Sequence, residues 1–144
     1  MNLFDLSGQV AVITGSSRGI GRAIAEHGAR VVISSRKAEA CEAVALDLQE
    51  RFGKGCAIAI PANISAKADL QHLMSEARRQ LGPIDILVCN AASNPYYGPQ
   101  EGISDEQFRK ILDNNIVANH WLISMAVPEM RERSEEHTSE LQSH

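Results

Sequence analysis

Three glycines, Gly15, Gly19 and Gly21, follow directly on a run of apolar and β-branched residues from Val10 to Thr14. A buried strand that stops at a glycine, turns tightly and opens a helix is a backbone shaped around an anion. The glycines let the chain approach a bulky phosphate, and the N–H groups of the new helix supply donors and positive potential for it. The strand–turn–helix context separates this pattern from a merely flexible loop. A second group, Ser34-Ser35-Arg36-Lys37, lies about twenty residues further on, where a chain that binds NAD places a carboxylate for the ribose 2′-hydroxyl. Here a hydroxyl and a guanidinium, Ser35 and Arg36, suit a 2′-phosphate instead, and Arg18 within the glycine loop adds a second positive charge. The cofactor expected is NADP; the competing reading makes Arg36 and Lys37 solvated residues at a helix start.

The elements that must position these groups follow from the apolar pattern. After the first strand, Val10 to Thr14, a short helix carries Ile20, Ala23 and Ile24 on one face, and a second strand spans Arg30 to Ser34. An amphipathic helix from Ala38 to Phe52, with Cys41, Val44, Ala45 and Leu48 on its stripe, is stopped by Gly53. A third strand, Cys56 to Ile60, precedes a helix from Ala66 to about Leu81, with Ser65 as its cap and Leu70, Leu73 and Ala77 inward. The fourth strand is expected from Ile84 to Cys89. Ser104, followed three residues later by Gln107, is a capping box that starts one long helix through Trp121 and Met125 to about Arg131. Between them the loop Ser93 to Ile103, stiffened by Pro95 and Pro99, carries Tyr96 and Tyr97, and both a substrate-facing role and surface packing stay open for it.

Composition narrows the functions available. The 144 residues, 44% hydrophobic, suit one domain with a sizeable core, and the net charge of −4 comes with no basic run to hold a nucleic-acid backbone or an anionic membrane. Neither nucleic acid nor membrane is an expected partner. Cys41, Cys56 and Cys89 are far apart, with no C-x-x-C pair, and read as reduced core residues and not as metal ligands or bridges. The residues before Gln9 include Asp5 and no basic leader, and no apolar stretch reaches spanning length, so a cytoplasmic location is expected.

Thr14-Gly15-Ser16-Ser17-Arg18-Gly19-Ile20-Gly21 resembles the cofactor fingerprint of the short-chain dehydrogenase/reductase family, and the likeness recurs at Asn90-Ala91-Ala92 and at Asn115. The resemblance covers Leu6 to about Glu132. It implies the N-terminal half of a doubly wound α/β fold, a parallel-sheet Rossmann architecture of strand order 3-2-1-4. Cofactor contact is implied along Gly15, Ser17, Arg18, Gly19, Ile20 and Gly21. It also gives Asn63 the family's adenine-contacting place, with a turn-forming role equally open. Asn90 would tie neighbouring backbone beneath the cofactor, and Ala91 and Ala92 would lie against its ribose. Asn115 would be the helix-embedded asparagine whose carbonyl holds a proton-relaying water, whereas Asn114 and Asn119 read as polar residues of a solvated face. The activity implied is hydride transfer between NADP(H) and a small-molecule carbonyl or secondary alcohol, on the carbonyl reductase and retinol dehydrogenase side of the family, in a homodimer or homotetramer. The first helix is about one turn short of the family's usual length, which leaves His27 as a displaced surface residue.

From Arg133 onward the chain reads R-S-E-E-H-T-S-E-L-Q-S-H, which through Ser143 matches the in-frame translation of a widely used sequencing-library adapter. The expectation is a dinucleotide-binding fragment over residues 1–132 and an artefactual, disordered tail over 133–144. The family's catalytic Ser and Tyr-x-x-x-Lys would then lie beyond the break, and this stretch would be inactive alone: Tyr96 and Tyr97 are followed four positions on by Gln100 and Glu101. A non-catalytic NADP-binding sensor of the same fold is the rival, and a downstream Ser and Tyr-x-x-x-Lys would decide against it.

Overall fold

The computed structural model describes residues 3–15, 18–94 and 96–142, with side chains through 134. Four strands, β1 (Val10–Thr14), β2 (Arg30–Ser34), β3 (Ala57–Ala59) and β4 (Ile86–Val88), form one parallel sheet in the order β3-β2-β1-β4. The helices are α1 (Arg18–Glu26), α2 (Ala38–Phe52), α3 (Lys67–Leu81), α4 (Asp105–Leu112) and α5 (Ala118–Gln142). Strand order and parallel pairing are those the resemblance implies.

Period-two alternation in β1 and β2 sends successive side chains to opposite faces, so the sheet needs cover on both sides. On one side Val12 and Val32 pack with Leu70, Leu73, Met74 and Ala77 of α3 and with Ala118, Leu122 and Ala126 of α5. On the other, Ile13, Val31 and Ile33 meet Ala25 of α1 and the α2 stripe Cys41, Val44, Ala45 and Leu48. Polar pins fix the N-terminal edge: Asp85 Oδ2 accepts from the amide of Val10 (2.8 Å), and Arg30 donates to the Leu81 carbonyl at the end of α3 (2.7 Å). Arg78 clamps α5 through Glu129 (2.8 Å) and the Met125 carbonyl (2.6 Å).

Several local expectations change. The inward face of α1 is Gly21, Ile24 and Ala25, while Ile20 is 36% exposed and Ala23 faces out. The helix turns its glycine inward because that is where it can approach the sheet: a Cβ on Gly21 would sit 3.0 Å from Ile33 Cδ1 and 3.4 Å from Leu48 Cδ1. His27 is exposed as expected, its Nδ1 lying 2.6 Å from the Ala23 carbonyl. Ser65 does not cap α3; Ala66 is the capping residue, without a side-chain bond, because the Ser65 hydroxyl donates to Asn114. The expected strand Ile84 to Cys89 shortens to β4, whose three residues are half-buried at the sheet edge. The single long helix is two, joined by a π-type turn over Asp113–Val117, although the Ser104–Gln107 capping box forms as expected. α5 carries on past Glu132 to Gln142 through a segment with neither glycine nor proline to stop it.

Candidate nucleotide-binding site

At the carboxyl ends of β1 and β4 the chain leaves the sheet in opposite directions, since β2 and β3 lie on one side of β1 and β4 on the other. Such a switch point opens a crevice. Thr14, the last residue of β1, closes its floor: its Oγ1 accepts from the amides of Asn90 and Ala91, each at 3.1 Å. This threonine ties the two strand ends together.

Gly15 follows with φ of 88°, and a Cβ there would lie 2.8 Å from Asn90 Nδ2 and 2.9 Å from the Ala91 nitrogen. Both its conformation and its surroundings require glycine. A Cβ on Gly19 would meet nothing within 4 Å. Its bareness therefore serves the open side of the loop, where the first turn of α1 presents N–H groups that a helix cannot satisfy internally. Gly15 thus serves the turn and Gly21 the helix–sheet contact, while Gly19 leaves its side of the loop open.

The cleft above them has a volume of about 290 Å³, and its walls include Gly15, Ser35, Arg36, Asn63, Asn90, Ala91 and Ala92. Seven of the expected cofactor residues are therefore brought together. Gly19, Ile20 and Gly21 lie beside the cleft and not on its wall, and Ser17 falls outside the described residues. Arg18 is turned towards α2, its Nε 4.0 Å from Asp47 Oδ2. Among the described lining residues Arg36 is the sole cation, and no carboxylate stands beside it. The Ser35 hydroxyl closes a local turn with Lys37, accepting from its amide (3.3 Å) and donating to its carbonyl (3.1 Å). Asn63 does likewise: its Oδ1 accepts from the Ser65 amide (3.0 Å), so the turn-forming role is realised within the cleft wall.

Sequence reasoning missed a polar knot at the back of the cleft. Asn114, read as a solvated residue, is 5% exposed; its Nδ2 donates to Ser93 Oγ (2.7 Å), and its Oδ1 accepts from Ser65. Asn115 grips the same serine by the backbone, accepting from its amide (3.1 Å) and donating to its carbonyl (2.7 Å). The Asn115 carbonyl accepts from Asn119 Nδ2 (3.0 Å). Three segments, from β3–α3, from β4–α4 and from the π-type turn, are thereby locked with no orphaned polar side chain among the described residues. Asn115 reaches the cleft only through Ser93.

The remaining reactive groups are quiet. Burial pushes the Cys89 thiol up, which keeps it neutral and a poor nucleophile. The Tyr96 hydroxyl donates to the Pro99 carbonyl (2.7 Å) in its own loop, and Tyr97 is 93% exposed. Among the described residues no group of His, Cys, Asp and Glu could hold a metal ion, and no helix is long and apolar enough to cross a membrane.

Comparison with known proteins agrees with this geometry. Residues 9–137 match the family described as short chain dehydrogenase. The mouse protein dehydrogenase/reductase SDR family member 4 is 38% identical over 133 residues, 89% of this chain and 47% of that protein. Among solved structures, L-sorbose reductase from Gluconobacter frateurii, complexed with NADPH and L-sorbose, superposes with a TM-score of 0.81 at 28% identity, over 90% of this chain and 50% of that one. The 3-ketoacyl-(acyl-carrier-protein) reductase from Brucella melitensis, complexed with NADH, gives 0.82 at 31% identity, over 92% of this chain and 55% of that one. The chain thus spans about half the length of the relatives it matches. With a family match over most of its length, on a sheet and glycine loop of the expected form, the chain belongs to the short chain dehydrogenase family.

Proposed function

We propose that this chain is the cofactor-holding part of an NADP(H)-dependent oxidoreductase acting on a small carbonyl or secondary alcohol. The observation that carries the choice of NADP is Arg36 on the cleft wall with no carboxylate among the described lining residues. A guanidinium there would pair with a 2′-phosphate, whereas an acid would repel it and bond the 2′-hydroxyl of NAD instead. The fit to a dinucleotide rests on Gly15, whose missing Cβ leaves the close approach of the chain to Ala91 that shapes the cleft floor.

When bound, NADPH supplies the hydride. The chain's own contribution is to hold and orient: the start of α1 for the pyrophosphate, Arg36 for the 2′-phosphate, Asn63 beside the adenine, and the Ala91–Ala92 backbone against a ribose. Asn115, fixed to Ser93 by two hydrogen bonds, steadies the wall next to that ribose. Proton transfer to the substrate oxygen needs a general acid, and no Tyr-x-x-x-Lys occurs in this sequence. Phe108, Leu112, Ile116 and Ile123, exposed along α4, the π-type turn and α5, support self-association as a dimer or larger assembly.

The test is cofactor choice. NADPH is expected to bind about tenfold to a hundredfold more tightly than NADH, the worth of one charge-assisted hydrogen-bonding group at roughly 1.5–3 kcal/mol. Arg36→Asp should remove that preference, as read by fluorescence titration of each cofactor. Equal affinities before the substitution would overturn the assignment.

A further inference from the structure

Arg36 lies just past the end of β2 and lines the cleft, whereas Arg18, the first residue of α1, does not line it. The difference lies on α2. Asp47 in the third turn of that helix faces Arg18 across the α1–α2 contact, Nε to Oδ2 4.0 Å, while its other oxygen takes Arg51 Nε at 3.3 Å. The Arg18 side chain is 63% exposed and that of Asp47 28%, so the pair is wet, long and easily exchanged. Arg51 shares the carboxylate and weakens its hold on Arg18 further.

We propose that Asp47 is a specificity-tuning residue, which holds Arg18 on α2 and competes with a 2′-phosphate for it. This rests on the reading of the cleft as an NADP site. A dianionic phosphate beside Arg36 attracts a flexible, exposed guanidinium more strongly than a half-shared carboxylate does. Binding a 2′-phosphate then breaks the Arg18–Asp47 pair, and the affinity measured is lower by the worth of that pair. A ligand with a bare 2′-hydroxyl leaves the pair intact. Asp47 thus lowers the preference for the phosphorylated cofactor without touching it, and acts only through Arg18.

The experiment uses adenosine 2′,5′-bisphosphate and 5′-AMP as probes, because both fill only the adenosine side of the cleft. Each is titrated onto the native chain, Asp47→Asn, Arg18→Gln and the double variant. Asp47→Asn is expected to tighten 2′,5′-bisphosphate binding about twofold to fivefold, the range of an exposed ion pair, and to leave 5′-AMP unchanged. In the Arg18→Gln background the same substitution should do nothing. Equal tightening with and without Arg18 would show that Asp47 acts as a distant charge on the phosphate, and would overturn the inference while the NADP reading stands. If 2′,5′-bisphosphate binds the native chain no better than 5′-AMP, and Arg36→Gln alters neither, the NADP reading itself falls and this inference with it.

Discussion

Gly15→Ala is expected to lower the stability of the fold by about 2–5 kcal/mol and to abolish measurable binding of adenine nucleotides. Two costs add. At φ of 88° a side chain sits in the left-handed region, at roughly 1–2 kcal/mol for a residue other than glycine. The new Cβ would also meet Asn90 Nδ2 and the Ala91 backbone at 2.8–3.0 Å, and backbone yields less readily than a flexible side-chain end. Relieving such overlap costs about 1–3 kcal/mol. It would also spread the ends of β1 and β4, which the Thr14 hydroxyl holds together, and so deform the cleft floor. Urea unfolding with a nucleotide titration measures both effects. Gly19→Ala is the control, since its Cβ meets nothing within 4 Å and its stability should stay near that of the native chain. A native unfolding midpoint for Gly15→Ala would show that the loop relaxes freely.

Leu73→Ala is expected to cost a similar 2–5 kcal/mol by another route. Leu73 is fully buried where α3 packs on Val12 and Val32, with Leu122 of α5 in the same cluster. Elements on three sides are fixed by other contacts, so the void collapses little. The loss is a large fraction of the roughly 5–15 kcal/mol that a domain of this kind has in total. Leu46→Ala, at an exposed position on α2, should change stability by less than about 0.5 kcal/mol. If the two variants unfolded at the same denaturant concentration, the assignment of the core would be wrong.

The glycine loop and the α2 and α3 stripes were legible because each rests on local rules: glycine where φ is positive, and a 3.6-residue period where one side is buried; the strand order came from the family resemblance instead. The inward face of α1 was misjudged by one residue because apolarity was counted, and the contact with Ile33 is made by Gly21, which has no side chain to count. Asn114 was hidden for a different reason. In a regular helix consecutive side chains diverge by about 100°, so Asn114 and Asn115 read as residues of different faces. The π-type turn over Asp113–Val117 brings both onto Ser93, and nothing in the apolar pattern announces an extra residue in a turn. Ser65 shows the limit of capping rules: a serine before a helix prefers the cap, but here a buried amide competes for its hydroxyl and wins. Arg18 was placed by charge alone, and the acid that turns it away lies 29 residues downstream on another helix.

The sheet is uneven in what it costs to assemble. β1 meets β2 through a crossover of about twenty residues, but reaches β4 only by closing a loop between Val10 and Asp85, 75 positions apart. On loop-closure entropy alone that pairing costs roughly 1 kcal/mol more. It also returns less, since its register runs only from Ala11 to Ile13, against Val10 to Thr14 for the pairing with β2. The cleft floor is therefore built on a weaker seam than that between β1 and β2, and partial opening that starts at β4 parts Thr14 from Asn90 and Ala91 while β1, β2 and β3 stay paired. Amide exchange should report this as deuterium entering Leu87 and Val88 before Val31 and Val32, and bound nucleotide, by bridging the seam, should slow the first pair far more than the second.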